Sequence, residues 1–100
     1  MRYRLHPAAA DEHLEHIAFY EAQREGLGRR YDEAFEASMR AICESPQRFK
    51  LVAEPDIRRA ILRGFPYFVL YREVKGIVEV LAVAHHRRRP NYWHRRVDKG

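Results

Sequence analysis

The spacing of apolar residues predicts two helices in the first half of the chain. From Leu27 onwards, apolar and small residues recur every three or four positions, which is the period of an amphipathic helix. They are Leu27, Tyr31, Ala34, Phe35, Ser38, Met39 and Ile42. Pro46 ends this helix, because proline disfavours helical backbone at the preceding residue.

An earlier helix is predicted over about residues 8–25, with Pro7 near its start and Gly26 suited to end it. We expect one face of this helix to carry Ala10, Leu14, Ile17, Ala18 and Glu21. Because so short a link, at Gly26, joins the two helices, we expect them to form an antiparallel hairpin.

The second half of the chain predicts strands. Residues 47–56 have no regular period, whereas residues 57–63, 67–74 and 77–85 are rich in β-branched and aromatic side chains, as strands are. Lys75-Gly76 predicts a tight turn, and short connections make these three strands antiparallel. In the last strand, we expect one face to hold Val78, Val80, Ala82 and Ala84, and the other Ile77, Leu81 and Val83.

Together with a short extended segment at Tyr3-Arg4-Leu5, these elements follow the order β-α-α-β-β-β. That order is typical of an α+β domain in which a helix hairpin packs on a small antiparallel sheet. One hundred residues leave room for one core, so we expect a single domain over residues 1–100.

The positive charge is concentrated at the C-terminal end. The last sixteen residues, HHRRRPNYWHRRVDKG, hold five Arg and one Lys against one Asp, which accounts for the net charge of +5 of the whole chain. A basic, aromatic-containing end on an otherwise neutral domain predicts an acidic partner, either a phosphate backbone or a carboxylate-rich protein.

Further sequence features bear on the cellular compartment and on the need for a cofactor or metal. Cys43 is the one cysteine and cannot form an intramolecular disulfide, which fits a reducing cytoplasm. No apolar run approaches the roughly 20 residues that span a bilayer, and the N-terminus lacks a signal-peptide pattern. No phosphate-binding glycine loop or dinucleotide fingerprint is visible, so no cofactor is expected. The spacing of His13, His16 and His94 completes no tetrahedral metal set.

Residues 59–93 carry a family resemblance. They read RAILRGFPYFVLYREVKGIVEVLAVAHHRRRPNYW, with a Phe-Pro-Tyr corner, a Val-x-Tyr-Arg strand, a glycine turn and a His-x-Arg-Arg-x-Pro ending. This pattern resembles the RelE/ParE superfamily, the toxin halves of bacterial type II toxin–antitoxin pairs, and is closer to the ParE-like group. The resemblance covers essentially the whole chain.

The resemblance implies a toxin that is neutralised by a co-encoded antitoxin, in a toxin–antitoxin hetero-oligomer. ParE-like members inhibit DNA gyrase, and we expect this activity here. RelE-like members cleave messenger RNA on the ribosome, which stays open as an alternative. That branch usually carries further Lys or Glu on its central strands, where this chain has arginines such as Arg58 and Arg72. This departure counts against catalysis.

Two sets of candidate residues follow. Arginine grips phosphate through a planar fork of donors, so the candidates for target or phosphate binding are Arg63, Arg87, Arg88, Arg89, Arg95 and Arg96. A ribonuclease would also need a base for the ribose 2′-hydroxyl and an acid for the leaving oxygen. The candidates for those roles are His85, His86 and Tyr92.

These residues also have simpler interpretations. Neighbouring residues on a strand point to opposite faces, so at most one of His85 and His86 is expected to face a site. Trp93 is expected to pack the C-terminal stretch onto the sheet. For Tyr92, both packing and a role in the site stay open. The arginine run could also be a solvated surface, or belong to a basic nucleic-acid-binding module without toxicity.

Overall fold

The chain forms a helix hairpin on one five-stranded sheet. The structure, a computed structural model, describes residues 1–98. Its elements in order are β1 (Arg2–Leu5), α1 (Pro7–Gln23), α2 (Leu27–Glu44), β2 (Lys50–Ala53), β3 (Ile57–Ile61), β4 (Tyr67–Val74), β5 (Ile77–His85) and α3 (His94–Asp98). The α+β class and the helix hairpin followed by antiparallel strands are therefore confirmed.

The structure adds to the predicted elements between residues 46 and 56. A short 3-10 turn occupies Pro46–Arg48, and β2 follows it as an edge strand paired only with β3. This stretch has no period because β2 is four residues long and its register with β3 is interrupted after Leu51. The basic end also forms a short helix, α3.

The sheet order is β1-β5-β4-β3-β2. β1 pairs with β5 in parallel, and the other neighbours are antiparallel, as expected for the three predicted strands. Opposite Leu70 and Tyr71 of β4, β5 presents Ala82 and Val80, so Leu81 is an extra residue in the ladder. Such a bulge shifts the alternation of side chains along a strand.

The bulge corrects the predicted faces of β5. Val78, Val80 and Val83 pack into the helix-side cluster, whereas Leu81, Ala82 and Ala84 pack on the opposite face. A strict two-residue period had placed Ala82 with Val80. The alternation fails at Leu81 because one inserted residue moves every later side chain to the other face.

The helix hairpin covers one face of the sheet. α2 buries Tyr31, Phe35, Met39 and Ile42 there, as its spacing predicts. The predicted face of α1 is correct only at Ile17, which packs against the core, whereas Leu14 is 63% exposed and Ala18 and Glu21 are also exposed. α1 instead turns toward the protein a face that includes Ala9, Glu12, His13, His16 and Tyr20. Its polar members find partners on other elements, so a hydrophobicity pattern does not reveal this face.

The opposite face of the sheet is covered by the C-terminal stretch. Trp93 is only 4% exposed and packs in a second cluster with Ile57, Leu70 and Ala84. This is the packing role expected for the single tryptophan. The helix-side face of β4 and β5 is therefore covered by the hairpin, and the opposite face near Leu70 and Leu81 is covered by the residues that follow β5.

Three further observations concern the described part of the chain. None of its helices combines the length and apolar character needed to cross a membrane. Within the same residues, no group of three or more His, Cys, Asp or Glu is placed to hold a metal ion. Cys43 is a half-buried free thiol on α2.

Candidate binding site on the basic segment

We use the name basic segment for residues 86–98, which follow β5. The segment begins in a turn in which the His86 N–H donates to the Pro66 carbonyl at 2.9 Å and the Arg88 N–H donates to the His85 carbonyl at 3.0 Å. Asn91 adopts a positive φ of 64°, which Asn tolerates better than most residues. The chain thereby folds back onto the sheet, where Trp93 anchors it. Lys99 and Gly100 lie outside the described residues.

A cleft of about 200 Å³ lies between the basic segment and the sheet. Its lining combines an apolar floor with basic side chains at the rim. The floor includes Phe68, Leu70, Ala84 and Trp93, and the rim includes Arg59, His86, Arg88 and Arg89. The Arg59 guanidinium lies 4.3 Å from the centre of the Phe68 ring, and that of Arg88 lies 3.9 Å from the Tyr92 ring. Such stacking holds a cation in place without neutralising it.

Four arginines of the basic segment remain available to a partner. Arg87, Arg88, Arg89 and Arg95 are all exposed. Among the residues whose side chains the structure describes, 1–97, none of the four forms an ion pair with a carboxylate. Their charge therefore projects into solvent, where it attracts an anionic surface.

Arg96 has a different setting. Its guanidinium meets the buried carboxylate of Glu12 in a two-pronged contact, with Nη1 donating to Oε1 at 3.1 Å and Nη2 to Oε2 at 2.9 Å. Nη1 also donates to the Leu81 carbonyl at 2.8 Å. Tyr92 donates its hydroxyl to the same carboxylate at 2.8 Å. Arg96 thus pairs internally, and so does the Tyr92 hydroxyl, while the Tyr92 residue lines the cleft.

The protonation of this cluster follows from its contacts. Burial raises the pKa of Glu12, but hydrogen bonds from Arg96, Tyr92 and the Val83 N–H outweigh it, so the net pKa lies below its ordinary value. For Tyr92, burial and the bond to Glu12 both raise the pKa of the hydroxyl. Glu12 is therefore an ionised acceptor, and Tyr92 keeps its proton.

The two adjacent histidines pack against different faces. His86 stacks on Phe68 in the cleft, with ring centres 4.8 Å apart, whereas His85 packs edge-on against Tyr67 of the helix-side cluster at 5.5 Å. The Nδ1 atom of His85 accepts the Arg87 N–H at 3.1 Å. Both histidines nevertheless line the cleft, so the expectation that at most one of them faces a site is wrong.

The structure does not bring Arg63 to the cleft. It lines a separate groove between α2 and β3, together with Arg48 and Ile61. Arg72 of β4 pairs with Glu79 of β5, with 3.0 Å between Nε and the carboxylate. The predicted binding residues therefore divide into the exposed arginines of the basic segment, the internally paired Arg96, and a distant Arg63.

Sequence reasoning missed three residues that shape the site. Arg59 and Phe68 lie on neighbouring strands, and the antiparallel register of β3 and β4 brings them together. A strand alignment with that register could have suggested the pair. No local signal marks Glu12, because its partners lie 71 to 84 residues further along the chain.

The fold and the basic segment define a small basic domain of the RelE/ParE-like architecture. Residues 3–90 match the family model described as "ParE toxin of type II toxin-antitoxin system, parDE". The chain belongs to that family, which confirms the resemblance seen in its motifs. Family membership implies a type II antitoxin as partner.

Named relatives agree with the family match. The proteins called Toxin ParE2 from Mycobacterium tuberculosis strains CDC 1551 / Oshkosh and ATCC 25618 / H37Rv are each 30% identical to this chain over 91 residues. The alignment covers 90% of this chain and 86% of either relative. The similarity therefore extends over nearly the whole fold.

Proposed function

We propose that this protein is a toxin that binds and poisons DNA gyrase, that it docks through the basic segment, and that a co-encoded antitoxin neutralises it in the cytoplasm. The observation that carries the proposal is the group of four exposed arginines on one segment of a ParE-family chain, none of which pairs with a carboxylate among residues 1–97. Gyrase as the target rests on the resemblance to ParE-like toxins.

Charge and shape support docking by the basic segment. Four arginines within nine residues raise the rate of encounter with an anionic surface, and their guanidinium groups suit phosphate or carboxylate acceptors. The neighbouring cleft adds an apolar floor, which can receive an apolar or aromatic group of the partner. The combination fits a protein–DNA assembly, which offers both kinds of group.

The contacts of Tyr92 support binding over RNA cleavage. A general acid must present its proton to the leaving oxygen, whereas Tyr92 donates its proton to Glu12. His85 and His86 pack on different rings. All three candidates line the cleft, and the internal bond of the Tyr92 hydroxyl supports binding as the first choice.

A supercoiling assay tests the proposal. Purified toxin is titrated into gyrase with relaxed plasmid, and the concentration for half-inhibition is measured. Replacing both Arg88 and Arg89 by Ala should raise that concentration by at least about ten-fold, since each lost charge-assisted contact contributes on the order of 1.5–3 kcal/mol. In the matched control, Ala replaces Arg24 and Arg30, two exposed arginines of the hairpin. Its half-inhibitory concentration should equal that of the unaltered chain.

Full gyrase activity at micromolar toxin would refute the choice of target. In that case, translation of a defined message followed by primer extension decides the alternative. Cuts within ribosome-bound codons that disappear with His86→Ala would establish a ribonuclease.

The antitoxin part of the proposal has its own test. The product of the adjacent reading frame is co-expressed with the toxin, and growth and complex size are measured. We expect growth arrest by the toxin alone, relief on co-expression, and a hetero-oligomer on size-exclusion chromatography. Continued arrest with a well-expressed neighbour would contradict neutralisation by that protein.

A further inference from the structure

We propose that Glu12 is a positioning residue for the basic segment: its carboxylate fixes how the segment lies on the sheet, and thereby where the exposed arginines point. The functional consequence rests on the gyrase-binding role proposed above. The positioning itself is a property of the free chain and can be tested separately.

One carboxylate accepts hydrogen bonds from three residues, one on β5 and two in the basic segment. The Oε1 atom of Glu12 accepts the Val83 N–H at 3.0 Å and Arg96 Nη1 at 3.1 Å. Its Oε2 atom accepts the Tyr92 hydroxyl at 2.8 Å and Arg96 Nη2 at 2.9 Å. The residue is only 9% exposed, and buried charge-assisted bonds of this kind restrain geometry strongly.

The contact is made at an open strand edge. β1 pairs with β5 only as far as Val80, so the next backbone groups on that side of β5 have no strand partner. Side chains supply the missing bonds: Arg96 donates to the Leu81 carbonyl, Glu12 accepts the Val83 N–H, and His16 contacts the Val83 carbonyl at 2.9 Å. Glu12 therefore joins α1, the edge of β5 and the basic segment.

The Tyr92 ring connects the Glu12 contact to the exposed arginines of the basic segment. Two guanidinium groups stack on the Tyr92 ring, with Arg96 at 5.0 Å and Arg88 at 3.9 Å from its centre. Arg88 is exposed and lines the cleft. Because Glu12 holds both Arg96 and the Tyr92 hydroxyl, it fixes the platform on which Arg88 stacks.

The family match leaves this arrangement unassigned. It ends at residue 90, whereas Tyr92 and Arg96 lie beyond it. The helix-side core is also separate, since it is built from apolar side chains of the hairpin and sheet and contains neither residue. Glu12 thus acts on the orientation of the basic segment through Tyr92 and Arg96, and through the Val83 N–H it also joins α1 to β5.

The first test uses the free, full-length chain. Trp93 is the only tryptophan, so acrylamide quenching of its emission reports directly on the seating of the basic segment. Glu12→Gln keeps the size of the side chain and removes its charge. It should raise the quenching constant at least about two-fold, as expected when a segment opens locally. Asp11→Asn, an exposed neighbour on α1, is the matched control and should not change it.

An unchanged quenching constant in Glu12→Gln would overturn the proposal, whatever the toxin does to gyrase. Tyr92→Phe provides a second variant, because it removes the hydroxyl bond to Glu12 and keeps the ring under Arg88. We expect it to show a smaller increase than Glu12→Gln. An increase as large as that of Glu12→Gln would also contradict the proposal, since Arg96 would then contribute nothing.

The second test measures coupling in the supercoiling assay. Glu12→Gln should raise the half-inhibitory concentration by about ten-fold, and Arg88→Ala should do the same. If Glu12 acts by placing Arg88, the double variant should be little worse than either single variant. Losses that multiply would indicate independent roles and refute the positioning. If the unaltered chain does not inhibit gyrase, only the proposed target fails, because the quenching result stands independently.

Discussion

Truncating Trp93 to Ala tests whether the basic segment is held on the sheet by packing. The indole is 4% exposed and lies in the second cluster with Leu70, Leu81 and Ala84. Removing a buried large aromatic side chain usually costs about 3–5 kcal/mol, which includes the cavity left behind. A domain of this size is stable by roughly 5–15 kcal/mol, so the loss is a substantial part of the total.

The loss has an upper limit set by the segment itself. Once packing is removed, the chain can release the basic segment and keep the hairpin and sheet folded, since the helix-side cluster does not include Trp93. The cost of the substitution then cannot exceed the free energy that holds the segment down. Release also lowers the denaturant slope of unfolding, because less buried surface remains to be exposed.

Urea unfolding followed by far-UV circular dichroism measures both the free energy of unfolding and its denaturant slope. We expect Trp93→Ala to lower the free energy of unfolding by about 3–5 kcal/mol at constant slope, or by less with a reduced slope. Trp93→Phe is the matched control and should lose less than about 1.5 kcal/mol. A loss below about 1 kcal/mol with an unchanged slope would show that Trp93 does not pack as described.

Three further predictions concern residues of the two hairpin helices, α1 and α2. Stability should fall below pH 6.5, because burial lowers the pKa of His16 and the unfolded chain takes up the proton first. Stability should fall again below pH 4.5, because the pKa of Glu12 is lowered in the folded protein and the unfolded chain takes up the proton first. Urea titrations at a series of pH values should show both losses, and a stability that does not change with pH would contradict them. Gly28→Ala should destabilise the protein by about 1–3 kcal/mol in thermal unfolding, because the added Cβ would lie 2.7 Å from the Ile17 carbonyl oxygen; unchanged stability would show that the helices separate freely. Cys43 should react with Ellman's reagent more slowly than glutathione at pH 8, because burial raises the pKa of its thiol; equal rates would place it in solvent.

Local pattern was enough for several elements. α2 follows its apolar period throughout, and Tyr31, Phe35 and Met39 are buried as that period requires. Lys75 and Gly76 both adopt positive φ, at 51° and 79°, in the tight turn that their sequence predicts. Charge clustering likewise located the basic end, but it did not distinguish the exposed arginines from Arg96.

The composition and period of the chain determined its class, its hairpin, its central strands and its basic end, because each depends on neighbours a few residues apart. The tertiary structure alone decided which face of α1 is buried, where the bulge at Leu81 shifts β5, and which arginines stay available. Arg96 and Arg95 are adjacent and chemically identical, yet one meets Glu12 and the other is exposed. That difference arises from an ion pair across 84 residues, which only the packing of α1 against the edge of β5 brings within reach.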